Sequence, residues 1–149
     1  MPYKSTKTYG HNIGLSACFR QPRAHSHCKF LHGYRLVAKF LFGCNELDEK
    51  NWVVDFGGLK GLKDKLEKQF DHTTVISKDD PFLSTFEELH NKGIIDLRVM
   101  DGVGIEKFAE YCFNLASSFV DDMTDGRCFV KKVEVWEHEK NSAIYKGLL

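Results

Sequence analysis

The sequence predicts an α+β fold, an antiparallel sheet with helices on one face, and three observations carry that reading. Between Gly33 and Phe42, Tyr34, Leu36, Ala38, Phe40 and Phe42 fall on one side of an extended chain, with Arg35, Val37, Lys39 and Leu41 on the other. Between Ile105 and Phe119 the apolar residues recur instead at helical spacing. The elements come as two strands, two helices, a short strand, a third helix and two closing strands. Runs of each type, rather than strict alternation, favour an antiparallel sheet over a parallel one.

The elements follow in order. Residues Thr6 to Arg20 carry apolar and small residues without helical spacing and read as a first strand. Gly33 to Phe42 is the second. A turn-rich stretch, GCNELDEKN, and a short apolar run, Trp52-Val53-Val54, lead to Asp55. Leu59, Leu62, Leu66 and Phe70 then share a helical face, which predicts an amphipathic helix from about Gly58 to Gln69. Asp80-Pro81 reads as an N-cap followed by proline at the first helical position. Phe82, Phe86 and Leu89 share a face, and Gly93 is a stop, so a short helix is expected over roughly 82–92. Leu97 to Met100 suits a short strand. The third helix presents Ile105, Phe108, Ala109, Cys112, Leu115, Ala116 and Phe119 as one broad stripe, and Asp125-Gly126 turns the chain after it. Phe129 to Glu137 and Ser142 to Lys146 close the sequence as two strands around the polar loop HEKN.

The 149 residues, without repeat, low-complexity tract or linker, predict a single domain over 1–149. Apolar residues make up 42% and charged residues 28%, which excludes a disordered chain or a fibre. Twenty-one basic residues balance 21 acidic ones, so no overall charge draws the chain to nucleic acid or anionic lipid, and self-association is permitted. No apolar run reaches 18 residues, which excludes a membrane-spanning helix. The segment MPYKSTKTYGHNIG has no signal-peptide core, and the five cysteines form no CxxC pair, so a cytoplasmic protein with reduced thiols is expected.

The densest chemistry is RAHSHCKFLHGY, residues 23–34, with His25, His27, Cys28 and His32. Imidazole and thiolate suit zinc, but the spacing is not that of paired ligands, and loop histidines at the surface are the competing account. Cys28 is either a base or nucleophile activated by its neighbours or a small apolar residue. Asp71-His72, at the end of a helix, is either a carboxylate-oriented acid–base pair or a solvated helix end. Glu137 is in phase with Val133 and Val135, where a carboxylate requires a partner such as a ligand with adjacent N–H groups. Glu106, at the start of the third helix, also complements the helix dipole.

Taken together, the motifs resemble the 6-pyruvoyl-tetrahydropterin synthase and 6-carboxy-tetrahydropterin synthase family, over about residues 12–146. LSACFR is similar to the family's first-strand motif, CKFLHGY to its Cys-x-x-x-His-Gly-His and NWVVDFGGLK to its Val-Met-Asp-Phe-Gly-x-Leu-Lys. FDHTT matches its Leu-Asp-His, and VEVWEHEKNSAIY its closing hairpin. The resemblance implies the tunnelling fold, a four-stranded antiparallel sheet with two helices on one face, assembled into an oligomeric barrel, usually a hexamer of two trimers. It implies a lyase acting on 7,8-dihydroneopterin triphosphate at a site between subunits, with a bacterial branch leading to 7-deazaguanine compounds such as queuosine.

On this resemblance Cys28 is the catalytic base, and Asp71 and His72 are the dyad brought from a neighbouring subunit. Glu137 anchors the amino-pyrimidine edge of the pterin, with Glu106 a second substrate-binding candidate, and His32 is the middle of three zinc ligands. The chain departs from the family at the other two: Phe19 and Tyr34 stand where zinc histidines belong, and Gly104 stands where a pterin-binding threonine is frequent. His25 and His27 are the replacements within sequence reach, so the expected metal set is His32, His27 and His25. The alternatives are a metal-free or altered-substrate pterin enzyme, or a non-catalytic pterin- or purine-binding protein on the same scaffold.

Overall fold

The computed structural model describes residues 1–147, so the last two residues of the expected domain lie outside the described residues. Its centre is one long strand. The alternation that begins at Gly33 runs from His32 to Cys44 (β3), with Leu36, Ala38, Phe40 and Phe42 buried to 2% exposure or less. A strand of 13 residues is long enough to serve two neighbours along one edge. Its C-terminal half pairs with Tyr3–Tyr9 (β1), in the register Tyr3 to Cys44 and Tyr9 to Ala38. Its N-terminal half pairs with Leu15–Phe19 (β2), in the register Leu15 to Leu36 and Phe19 to His32. The single first strand expected over Thr6 to Arg20 is therefore two. The break is a turn in which Ile13 N–H donates to the Gly10 carbonyl and Gly14 takes a φ of 75°, a conformation open to glycine at no steric cost.

The other edge of β3 pairs antiparallel with Phe129–His138 (β6), which pairs in turn with Asn141–Tyr145 (β7). Strands β1, β3, β6 and β7 make the four-stranded antiparallel sheet. The full sheet is larger, with seven strands. Thr73–Ser77 (β4) adds parallel to β2, and Leu97–Met100 (β5) adds parallel to β4. Strand β4, unmarked by alternation, is buried at all five positions, as parallel strands covered on both faces are.

Helix α1 (Lys60–Phe70) buries Leu62, Leu66 and Phe70. A 3-10 turn over Phe56–Leu59 leads into it, capped by Asp55, whose Oδ1 accepts from Gly57 N–H at 2.9 Å. Helix α3 (Ile105–Thr124) turns its apolar stripe onto the same core and stops at Asp125, in the left-handed conformation with φ 52°. The short helix α2 (Leu83–Asn91) has Asp80 at its entry, where Oδ1 accepts from Phe82 N–H. Only Phe86 of its three expected core residues is buried. Phe82 is 57% exposed and covers the Arg20 guanidinium, its ring 5.4 Å from the charge. No helix among the described residues is long and apolar enough to cross a membrane.

Candidate active site

Strand register brings the chemistry together at one end of the sheet. Phe19 closes β2 opposite His32, which opens β3, and Tyr34 follows two residues on, on the same face. Cys28 sits on a 3-10 turn, His27–Lys29, whose cap Ser26 accepts from Cys28 N–H at 3.4 Å. The loop carrying it is tied down on both sides. Gln21 N–H donates to the Cys28 carbonyl at 2.9 Å, and Arg20 Nη1 donates to the Lys29 carbonyl at 3.0 Å.

Glu137 arrives differently from the expectation. It does not continue the buried row of Val133 and Val135, because β6 bulges between Trp136, opposite Ser142, and His138, opposite Asn141. The extra residue is Glu137. A bulge re-aims a side chain, and this one leaves the carboxylate half-buried, with Oε1 accepting from Asn141 Nδ2 at 3.1 Å.

The outcome is a cavity of about 540 Å³ lined by Phe19, Cys28, His32, Tyr34, Glu106 and Glu137 together with Gln21, Gly104, Ile105, Lys140, Asn141 and Ser142. Four of the residues singled out from sequence, Cys28, His32, Glu106 and Glu137, thus share one cavity. Gln21, Lys140 and Asn141 went unnoticed. Gln21 Nε2 donates to the Val103 carbonyl at 2.7 Å and fixes the turn into α3. Gly104 in that turn has φ 110°, and a Cβ there would lie 2.7 Å from Gln21 Nε2. Contacts across 82 residues leave no local signal of that kind.

Asp71 and His72 lie elsewhere. Asp71 Oδ1 accepts from Ser16 N–H at 3.3 Å and is 2.9 Å from His72 Nδ1, so the carboxylate does orient the imidazole. His72 takes the left-handed conformation, φ 58°, and its side chain is 86% exposed. It lines a separate cavity of about 550 Å³ with Cys18, Thr74 and the 93–96 loop, which does not include Cys28.

The expected metal set does not assemble. His25 and His27 are exposed and outside the Cys28 cavity, and among the described residues no three His, Cys, Asp or Glu side chains group closely enough to hold an ion. His27 shares the 3-10 turn with Cys28, but only Cys28 of that turn lines the cavity, and His25 before it is exposed as well. His32 instead packs among rings, 5.3 Å from Phe19 and 5.4 Å from Tyr34, centroid to centroid. The residues present do not fit a three-imidazole zinc site.

Burial sorts the remaining ionisable groups. It pushes the Cys112 thiol up to about 12 and the Cys128 thiol up to about 11, leaving both inert. All five cysteines are free, and Cys18 and Cys28 are the two that are not fully buried. The Tyr34 phenol is held above its ordinary range, first by burial and then by Glu137 and Cys28 nearby.

A four-stranded antiparallel sheet with helices on one face, with a cavity beside the first turn of α3, is the tunnelling fold. The family is given by the sequence: residues 10–148 match the 6-pyruvoyl tetrahydropterin synthase family, and the chain belongs to it. The members of that family are lyases. Over an alignment of 160 positions, gaps included, that covers 98% of this chain and 99% of its relative, it is 25% identical to a 6-carboxy-5,6,7,8-tetrahydropterin synthase of Aquifex aeolicus. A protein of the same name from Rickettsia conorii is 39% identical over 54 residues, a match spanning 36% of this chain and 39% of that protein's length. Among solved structures, an uncharacterized protein from Wolinella succinogenes superposes with a TM-score of 0.81 at 18% identity, covering 97% of this chain and 98% of that one. The 6-pyruvoyl tetrahydropterin synthase of Plasmodium vivax superposes at 0.66 with 15% identity, covering 96% and 97%. At those identities the structures share the fold.

Proposed function

We propose that the protein is a lyase of the 6-carboxy-tetrahydropterin synthase type, acting on 7,8-dihydroneopterin triphosphate in 7-deazaguanine (queuosine) biosynthesis in the cytoplasm. The observation that carries this reading is the placement of Cys28 and Glu137 on one cavity. Glu137 holds the flat, amino-pyrimidine edge of the substrate, its two carboxylate oxygens accepting from two adjacent N–H groups. Cys28 then faces the side chain that projects from the ring and takes a proton from one of its carbons. Glu106, in the first turn of α3, closes the ring-binding wall.

Asp71 and His72 are the second half of the acid–base machinery. Within one chain His72, with Asp71 hydrogen-bonded to it, lines a different cavity from Cys28, so the pair serves the Cys28 of a neighbouring copy in a homo-oligomer, a hexamer of two trimers. The outer edges of β1 and β7, each paired on one side only among the described residues, are the edges a neighbour would complete. The partner is a small molecule; neither nucleic acid nor membrane is required. Zinc has no step here, because the donor set does not fit it. The rings at Phe19 and Tyr34 favour a second reading, a metal-free enzyme with an altered pterin substrate.

Incubation of the purified oligomer with 7,8-dihydroneopterin triphosphate, with products separated by chromatography, tests the reading. Release of triphosphate and acetaldehyde with formation of 6-carboxytetrahydropterin is expected. Triphosphate release with a different pterin product moves the assignment to the second reading. Pterin binding without turnover overturns both and leaves a binding protein.

A further inference from the structure

We infer that the Phe19, His32 and Tyr34 rings occupy the place of a metal in the Cys28 cavity, and that the Tyr34 hydroxyl donates a hydrogen bond to an oxygen of the bound substrate. The second half rests on the pterin reading of the same site; the first does not.

The three rings form a closed triangle. Their centroids are 5.3 Å (Phe19 to His32), 5.4 Å (His32 to Tyr34) and 5.9 Å (Phe19 to Tyr34) apart, with His32 and Tyr34 edge to face at 90°. Such contacts are favourable in themselves. Three side chains this close, on paired strands, could direct three donors at one point, but here only His32 carries a nitrogen. The phenyl ring of Phe19 has none, and it is not free to swing aside. It is 3% exposed and stands edge-on to Phe108 of α3, 5.0 Å away. His32 Nδ1 lies 2.7 Å from the Phe30 carbonyl, which fixes the ring in the triangle.

Tyr34 differs from Phe19 in reaching open space. It is half-buried and lines two cavities, the one with Cys28 and Glu137 and a neighbouring one of about 650 Å³ with His11, Arg35 and Lys140. Glu137 and Lys140 are shared by both. A molecule held at Glu137 and reacting at Cys28 therefore passes the phenol. Once the side chain has become a carbonyl, removing the proton from the neighbouring carbon places the electron pair on the carbonyl oxygen as an enolate, and a fixed O–H donor aimed at it stabilises that charge without reorganising. Tyr34 supplies that donor on the same face as His32.

The experiment combines metal analysis with two variants of the full-length protein. Wild type, dialysed against zinc chloride and then freed of loose metal, is expected to hold no stoichiometric zinc by elemental analysis; one zinc per chain overturns the inference whatever the substrate is. The double variant Phe19→His with Tyr34→His, which supplies imidazoles at all three corners, is expected to gain one zinc per chain. A folded double variant without zinc overturns the placement of the rings at a metal position. Tyr34→Phe keeps the ring and removes the hydroxyl. Its turnover is expected to fall about 100-fold, with KM and calorimetric pterin affinity within a few-fold of wild type. Unchanged turnover removes the donor role. A metal-free wild type that neither binds nor turns over dihydroneopterin triphosphate overturns the pterin reading and the donor role with it, while the zinc measurements still decide the ring triangle.

Discussion

The Arg20 guanidinium and the Asp80 carboxylate form a two-point pair, Nε 2.8 Å from Oδ2 and Nη2 2.9 Å from Oδ1, across 60 residues of chain. The Asp80 side chain is fully buried and that of Arg20 is 15% exposed. The same guanidinium holds the Lys29 carbonyl, one residue from Cys28, and the same carboxylate caps the entry to α2. One ion pair thus ties the loop that carries Cys28 to the entry of α2.

Asp80→Ala leaves a nearly buried guanidinium without its partner. Removing one member of such a pair costs about 3 kcal/mol, measured as a loss of unfolding free energy in urea. The Arg20 hydrogen bonds, with Phe82 N–H, hold the Asp80 carboxyl below the usual carboxylate range against the opposing effect of burial. A depressed folded-state value contributes stability above the unfolded carboxylate value of about 3.9, and that contribution is lost as pH falls below it. Wild type is therefore expected to lose stability below about pH 4 more steeply than the Asp80→Ala protein. Equal slopes in acid would show that the pair is not the titrating contact.

Glu137→Gln keeps the shape of the side chain and removes its charge. Loss of the charge-assisted pair with the pterin edge should weaken binding by about 1.5–3 kcal/mol in calorimetry, with the melting temperature unchanged. Unaltered pterin affinity would take Glu137 out of the site.

His72→Asn retains a residue that tolerates the left-handed conformation at φ 58°. Turnover should fall by about 10²–10⁴-fold while the protein stays folded. Because the dyad and Cys28 lie in separate cavities of one chain, mixing His72→Asn with Cys28→Ala subunits should restore part of the activity. No recovery in mixed oligomers would place both halves in the same subunit.

The same division of the site requires assembly. Light scattering at micromolar concentration is expected to give a mass six times the 17.1 kDa chain. A strict monomer would remove His72 and Asp71 from the reaction.

Gly104→Ala tests the turn into α3. A φ of 110° is closed to residues with a side chain, and the new Cβ would collide with Gln21 Nε2, breaking its bond to the Val103 carbonyl. The expected cost is about 1–3 kcal/mol, together with weaker pterin binding, measured by urea unfolding and by calorimetry.

Local periodicity determined much of this protein. The apolar alternation of β3, the 3.6-residue stripes of α1 and α3 and the Asp125-Gly126 stop are properties of neighbouring residues, and they were legible without a fold. So was the family, because its motifs are short and ordered. What only the tertiary structure decided was convergence. The turn at Gly10–Gly14 splits the first strand, β4 inserts beside β2 without any alternating signal, and a bulge in β6 turns Glu137 out of the core row and into the cavity. Side chains separated along the chain meet or miss according to register: Phe19 meets His32 and Tyr34, whereas His25 and His27 stay exposed and His72 lines another cavity. Spacing along the chain fixes which way a residue faces within its own element. Long-range strand pairing fixes what it faces, and that is a sum over contacts no local window contains.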